Sequence, residues 1–170
     1  GILANGQYES LSGTNVYWDF VELPSQIFEN WAFEKECLDI FASHYETGEK
    51  IPFEIIQKIK ESSNFHEGRN TLRQASFAIL DMAWHNQDPE SIEDVGDFEK
   101  RVLKDTLLLP HVDGTNISCA FSHIFNGGYS AGYYSYKWAE ILDADAFELF
   151  KEKGIFNREV AKSFQDNILS

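Results

Sequence analysis

Apolar residues recur along the chain mostly at spacings of three and four, the period of helices that bury one face. Val21, Ile27, Phe28, Trp31, Cys37, Leu38 and Phe41 form the first stripe and predict one long helix over residues 19–45. Pro24 stands near its start, where a missing N–H costs little, and Gly48 marks its end. Pro52 opens a shorter helix through Phe53, Ile56 and Ile59, stopped by Ser62-Ser63-Asn64. A third helix, over residues 68–86, carries Leu72, Phe77, Ile79, Leu80 and Trp84. Asp88-Pro89-Glu90 then breaks the chain and starts another through Ile92, Val95, Phe98 and Val102, ending at Leu107-Leu108-Leu109-Pro110.

The period is lost over residues 111–128, where Gly, Asn, Ser and Thr accumulate. A loop of that length in a compact domain is a functional suspect. Helical spacing resumes over residues 129–142, 144–153 and 157–169. No sustained alternation appears on which a hairpin could be built, although residues 9–17 have the character of an extended segment. There are no internal repeats, and the expected fold class is all-α. Gly1-Ile2-Leu3-Ala4 reads as the middle of an apolar element with no cap ahead of it. Phe164, Ile168 and Leu169 still follow a helical stripe where the sequence stops at Ser170, so both ends read as cuts.

Composition narrows the classes. The 170 residues are 43% hydrophobic, enough for a real core in about one domain. With 28 acidic against 14 basic residues the net charge is −14, which repels phosphate backbones and argues against nucleic acid as a partner. No apolar run is long enough to span a bilayer, and no basic, signal-like start is present; the expectation is a cytoplasmic protein without a membrane partner. Cys37 and Cys119 are far apart, without ligand spacing, and read as reduced core thiols.

Two clusters could carry chemistry. Asp19 and Glu22, three apart, share a face at the start of the first helix. Carboxylates there suit the helix dipole, so the plain reading is capping; the alternative is a metal carboxylate with a supporting group one turn away. Downstream of His123, Tyr129, Tyr133 and Tyr136 fall at i, i+4 and i+7, one face of a helix behind the flexible Gly127-Gly128 joint. Three phenols in line are either a core stripe or a set of donors aimed at a developing oxyanion. His66-Glu67-Gly68-Arg69-Asn70 begins like a zinc-peptidase helix, but Asn70 stands where the second histidine is needed, so it reads as a loop or helix start. His44, His85 and His111 have no partner at ligand spacing, and residues 94–104 read as a solvated, charged face.

Three strings together, Tyr8-Glu9-Ser10-Leu11-Ser12-Gly13-Thr14, Asp19-Phe20-Val21-Glu22-Leu23-Pro24-Ser25-Gln26 and residues 123–138, resemble the thimet oligopeptidase and peptidyl-dipeptidase family of zinc metallopeptidases. The likeness runs over essentially the whole chain. Phe121-Ser122-His123-Ile124 ahead of the glycines is similar to the bacterial peptidyl-dipeptidase branch, while Asn126 departs from the glycine usual there. The resemblance implies a helical C-terminal section of a zincin-type oligopeptidase catalytic domain acting on short peptides. It puts the third zinc ligand on Glu22, with Asp19 as a weaker supporting group behind it. It puts substrate backbone contacts on Gly127, Gly128, Tyr129 and Tyr133, and transition-state contact on His123 and Tyr136. No H-E-x-x-H occurs in the sequence, so two ligands and the general base would lie upstream of Gly1. The expected protein is therefore a peptidase section that is inactive alone and that partners the rest of the same enzyme. Self-association through exposed Trp18, Phe20 and Trp31 is a further expectation. Two other readings stand beside it: a stand-alone helical peptide-binding module without metal, and an unrelated helical protein whose tyrosines are core.

Overall fold

The computed structural model describes residues 3–169, and the expectations placed on Gly1, Ile2 and Ser170 lie outside them. Seven α-helices are found among the described residues: α1 (Leu23–Trp31), α2 (Lys35–Phe41), α3 (Phe53–Ser63), α4 (Glu67–His85), α5 (Val95–Leu103), α6 (Ser135–Lys153) and α7 (Arg158–Phe164). They contain no strand, only an isolated bridge between Ser43 and Lys50. The all-α expectation holds. The chain divides into two compact units, one of residues up to 65 and from 138 onward, the other His66–Lys137.

The first unit is ordered by hydrocarbon. Ile27 of α1 packs with Phe147 and Phe150 of α6, and Trp31, Ile155, Val160 and Phe164 close around them. Trp31 meets both phenylalanines edge-on, at 4.7 and 4.9 Å between ring centroids. Its indole N–H donates to the Ile155 carbonyl at 2.9 Å, so Trp31 belongs to this core and is not the exposed residue expected. Trp18 is exposed and Phe20 half-buried.

The single helix expected over residues 19–45 is two helices, α1 and α2, parted at 32–34. Trp31 anchors the end of α1 in the core, while α2 has no fully buried residue, so one continuous stripe serves two different environments. Glu34, extended at φ −93° and ψ 131°, accepts Lys60 on both carboxylate oxygens at 3.0 Å, fixing the break. Residues 9–17 are not extended; they hold a 3-10 turn at Glu9–Leu11 followed by other turns. The break expected at residue 143 is absent, because nothing in α6 there resists helical geometry. α7, capped by Asn157 on the amides of Glu159 and Val160, continues into a π-helical turn at Gln165–Leu169.

In the second unit Leu80 of α4 packs with Phe98 and Leu103 of α5, flanked by Trp84, Ile92 and Ile117. α4 begins at Glu67 with His66 at its N-cap, which settles the loop-or-helix-start reading of that segment as a helix start. α5 starts later than the sequence predicts: Pro89–Ser91 is a separate 3-10 turn, and Asp94 caps the new helix by accepting the Asp97 amide at 2.8 Å. Residues 104–134 contain no α-helix, in keeping with the expected loop, only a 3-10 turn at Ser122–Ile124. Both cysteines are free, but Cys37 is half-buried and Cys119 exposed, so neither is a core thiol.

Candidate active site

Glu22 caps α1 in the first unit, directly before Leu23 and Pro24. The Ser25 hydroxyl donates to its carboxylate at 2.7 Å and to its carbonyl at 2.9 Å, a local hold spanning one helical turn. Asp19 lies half-buried in the turn before it, three residues away. Glu22 stands at the helix start, tied through Ser25 to the first turn, whereas Asp19 precedes α1 in a turn, so the helical face expected to carry both carboxylates is absent.

The other candidate residues gather in the second unit. His123 sits in the 3-10 turn, whose Ser122 carbonyl accepts the amides of Phe125, Asn126 and Gly127. Gly127 passes so close that a Cβ there would meet the His123 Cα at 3.0 Å, and Gly128 has φ 79°, so a side chain is disfavoured at both for different reasons. Tyr129 and Tyr133 are not on a helix. The expected helical face is corrected: residues 129–134 form turns, with Ala131 in the left-handed region at φ 55°, and α6 starts only at Ser135.

The phenols converge nevertheless. His123 lies 5.6, 5.7 and 6.2 Å by ring centroid from Tyr129, Tyr133 and Tyr136. Tyr129 stacks on Tyr136 at 5.2 Å, and Tyr133 lies 5.0 Å from Tyr136. All four are half-buried, so they form a joint surface and not a sealed core. The Tyr133 hydroxyl donates to Gln74 Oε1 at 3.1 Å. Burial first, then neighbouring Tyr136, pushes the Tyr133 phenol above its usual pKa, with Arg73 opposing; it stays protonated, a donor, at neutral pH. Phe77 and Phe121 pack beside Tyr133 and also line a cavity of about 530 Å³ with Arg69, Arg73, Leu108 and His111.

Two buried carboxylates hold loop backbone in this unit, Asp81 at the tyrosine turn and Glu99 at a separate place, Ile117–Ser118. Asp81, fully buried on α4, accepts the amides of Ala131 and Tyr133. Glu99, expected on a solvated face, is only 3% exposed and accepts the amides of Ile117 and Ser118 and the Ser118 hydroxyl. The available signal was a charged residue interrupting an apolar stripe: Asp81 between Leu80 and Trp84, Glu99 beside Phe98.

The sequence profile of Peptidase family M3 matches residues 1–170. The chain belongs to peptidase family M3. Relatives of this M3 chain include oligopeptidase A of Escherichia coli, 45% identical over 162 residues, which are 92% of this chain and 23% of that protein. The dipeptidyl carboxypeptidase of the same organism is 42% identical over 172 residues, covering 100% of this chain and 25% of the relative. The organellar oligopeptidase A of Arabidopsis thaliana is 44% identical over 164 residues, 92% of this chain and 20% of that protein. The M3 chain therefore spans about a quarter of the length of the relatives it matches, and both the oligopeptidase and the dipeptidyl carboxypeptidase kinds match at similar identity. No helix among its described residues is long and apolar enough to cross a membrane.

Proposed function

We propose that this chain forms part of a cytoplasmic zinc peptidase that hydrolyses short peptides, in which it carries the substrate side of the site and one metal ligand. The observation that supports this best is the convergence of His123, Tyr129, Tyr133 and Tyr136 on one half-buried surface in an M3 chain. Protonated phenols and an imidazole there can donate to a peptide carbonyl, and donors held ready where negative charge develops lower the barrier without reorganising. His123 and Tyr136 take the transition-state oxygen; Tyr129, Tyr133 and the Gly127-Gly128 backbone bind and orient the peptide. Glu22, tied by Ser25, offers one carboxylate oxygen, and Asp19 supports it.

Among the described residues no three His, Cys, Asp or Glu side chains are grouped to hold a metal. A zinc site needs three or four such ligands, so these residues do not make one by themselves. The zinc-peptidase resemblance implies that an H-E-x-x-H segment, which this sequence lacks, supplies the remaining ligands and the general base.

In the intact peptidase carrying this chain, Tyr136→Phe is expected to lower kcat by roughly 100-fold or more with KM little changed. Glu22→Gln is expected to lose stoichiometric zinc by elemental analysis. The 170-residue chain alone is expected to bind no stoichiometric zinc and to leave peptides uncut. Cleavage indifferent to Tyr136→Phe would overturn the assignment. Peptide affinity without cleavage in the intact protein would replace it with a non-catalytic binding module.

A further inference from the structure

Asp81 is fully buried on α4, on the face that also carries Leu80 and Phe77. A buried carboxylate is costly unless donors surround it. Its two backbone donors come from one turn: Oδ1 accepts the Ala131 amide and Oδ2 the Tyr133 amide, each at 2.9 Å. His85, one turn along α4, brings Nδ1 to 3.0 Å from Oδ1. The two amides flank Gly132 in the turn where Ala131 adopts φ 55°, a conformation that an alanine does not favour by itself. The same turn sets the rings of Tyr129 and Tyr133 against His123 and Tyr136. Fifty residues of sequence separate Asp81 from Ala131, so no local preference could give this geometry.

We propose that Asp81 is a positioning residue for peptide hydrolysis: by accepting the Ala131 and Tyr133 amides it fixes the turn that aims the tyrosines. This rests on the peptidase reading above. Asp81 touches no substrate in this scheme and acts through the loop. Asn at this position keeps the size but can accept only through one oxygen and turns an amide donor toward the second N–H.

The test compares Asp81→Asn with Glu99→Gln in the intact peptidase, because Glu99 is a second buried carboxylate holding other loop amides. Both variants are expected to lower Tm. Only Asp81→Asn should lower kcat, by roughly 100-fold, with KM within a few-fold of wild type, since small misplacements of oriented groups act on turnover. Amide hydrogen exchange should show Ala131 and Tyr133 protected in wild type and opened in Asp81→Asn, with Ile117 and Ser118 opened instead in Glu99→Gln. An Asp81→Asn enzyme with wild-type kcat, or with both amides still protected, overturns the proposal. Should that variant not fold, rapid exchange of the Ala131 and Tyr133 amides in wild type would overturn it as well. An inactive wild type would sink the peptidase reading, while exchange at the two amides would still decide whether Asp81 orders this turn.

Discussion

The two compact units bury different chemistry. In the unit built on α1, α2, α3, α7 and most of α6, the buried side chains of the described residues are apolar: Leu23, Ile27, Ile56, Phe147 and Phe150 among them. The buried polar side chains of the described residues, Ser76, Asp81, Glu99, Ser118 and Ser135, all lie in the other unit. Helices satisfy their own amides internally, whereas a loop that runs through a core has to find acceptors elsewhere. The second unit carries residues 104–134 without an α-helix, and α4 and α5 each lend a carboxylate to it. The contrast shows where the chain has exchanged easy packing for a defined loop conformation, and that loop carries His123 and two of the three clustered tyrosines.

Glu99 gives the sharpest way to break this contrast. Its two oxygens accept the Ile117 amide at 2.8 and 2.9 Å, and Oε2 also accepts the Ser118 amide and hydroxyl at 2.8 Å. Glu99→Ala removes every one of these acceptors from the buried Ser118 amide and the part-buried Ile117 amide. The expected loss is roughly 3 kcal/mol, read from urea unfolding midpoints, because removing one partner of a buried charged group strands the others. A change under about 1 kcal/mol would mean that the loop is ordered by its apolar contacts, as in the first unit, and that the contrast is superficial.

The sequence made the helices legible because the apolar period of three and four is a local property, and α3 and α4 fall close to where that period puts them. It did not make the 32–34 break legible, since Trp31 and Leu38, seven apart, keep to one helical face across it. What ends α1 is the hold on Trp31 by Ile155 and the phenylalanines of α6, more than a hundred residues away in sequence. The candidate site divides in the same way. Glu22 could be found at the helix start, while Ser25, which holds its carboxylate from one turn on, was not singled out by the pattern. The tyrosines could be found too, but their spacing of four and three pointed to a helical face, when a turn clamped by Asp81 does the aligning. Asp81 could be seen to interrupt the apolar stripe of its helix, but not to hold the tyrosine turn, because Ala131 and Tyr133 lie fifty residues and more along the chain.

A smaller effect separates the ring cluster from an ordinary aromatic core. Burial, and then Tyr136, hold the Tyr133 phenol above its usual value of 10.0. A phenol whose folded pKa is raised favours the protonated, folded form. Its contribution to stability is complete below the unfolded pKa and is lost as pH rises through the folded value. Unfolding midpoints should therefore fall more steeply above about pH 10 in wild type than in Tyr133→Phe, where this linkage is gone. Equal slopes would place Tyr133 in water, and the cluster would not be the half-buried surface from which a donor works.

Ser135 supplies the smallest and most discriminating case. It opens α6, is completely buried, and donates its backbone N–H to the Gly132 carbonyl at 3.0 Å, yet its hydroxyl finds no hydrogen-bonding protein partner. Among the buried polar side chains of this unit it is the one that clamps nothing through its side chain. If buried polarity here exists to hold loop amides, deleting a hydroxyl that holds none should cost nothing. Ser135→Ala is expected to leave stability unchanged or to raise it by up to about 1 kcal/mol, since an unsatisfied buried hydroxyl is itself destabilising and the void left is the size of one oxygen. Urea unfolding of the variant beside Glu99→Ala measures both cases on one scale. A loss at Ser135 comparable to that at Glu99 would show that polarity in this unit is tied to something other than its loops, and the distinction between the two units would then rest on composition alone.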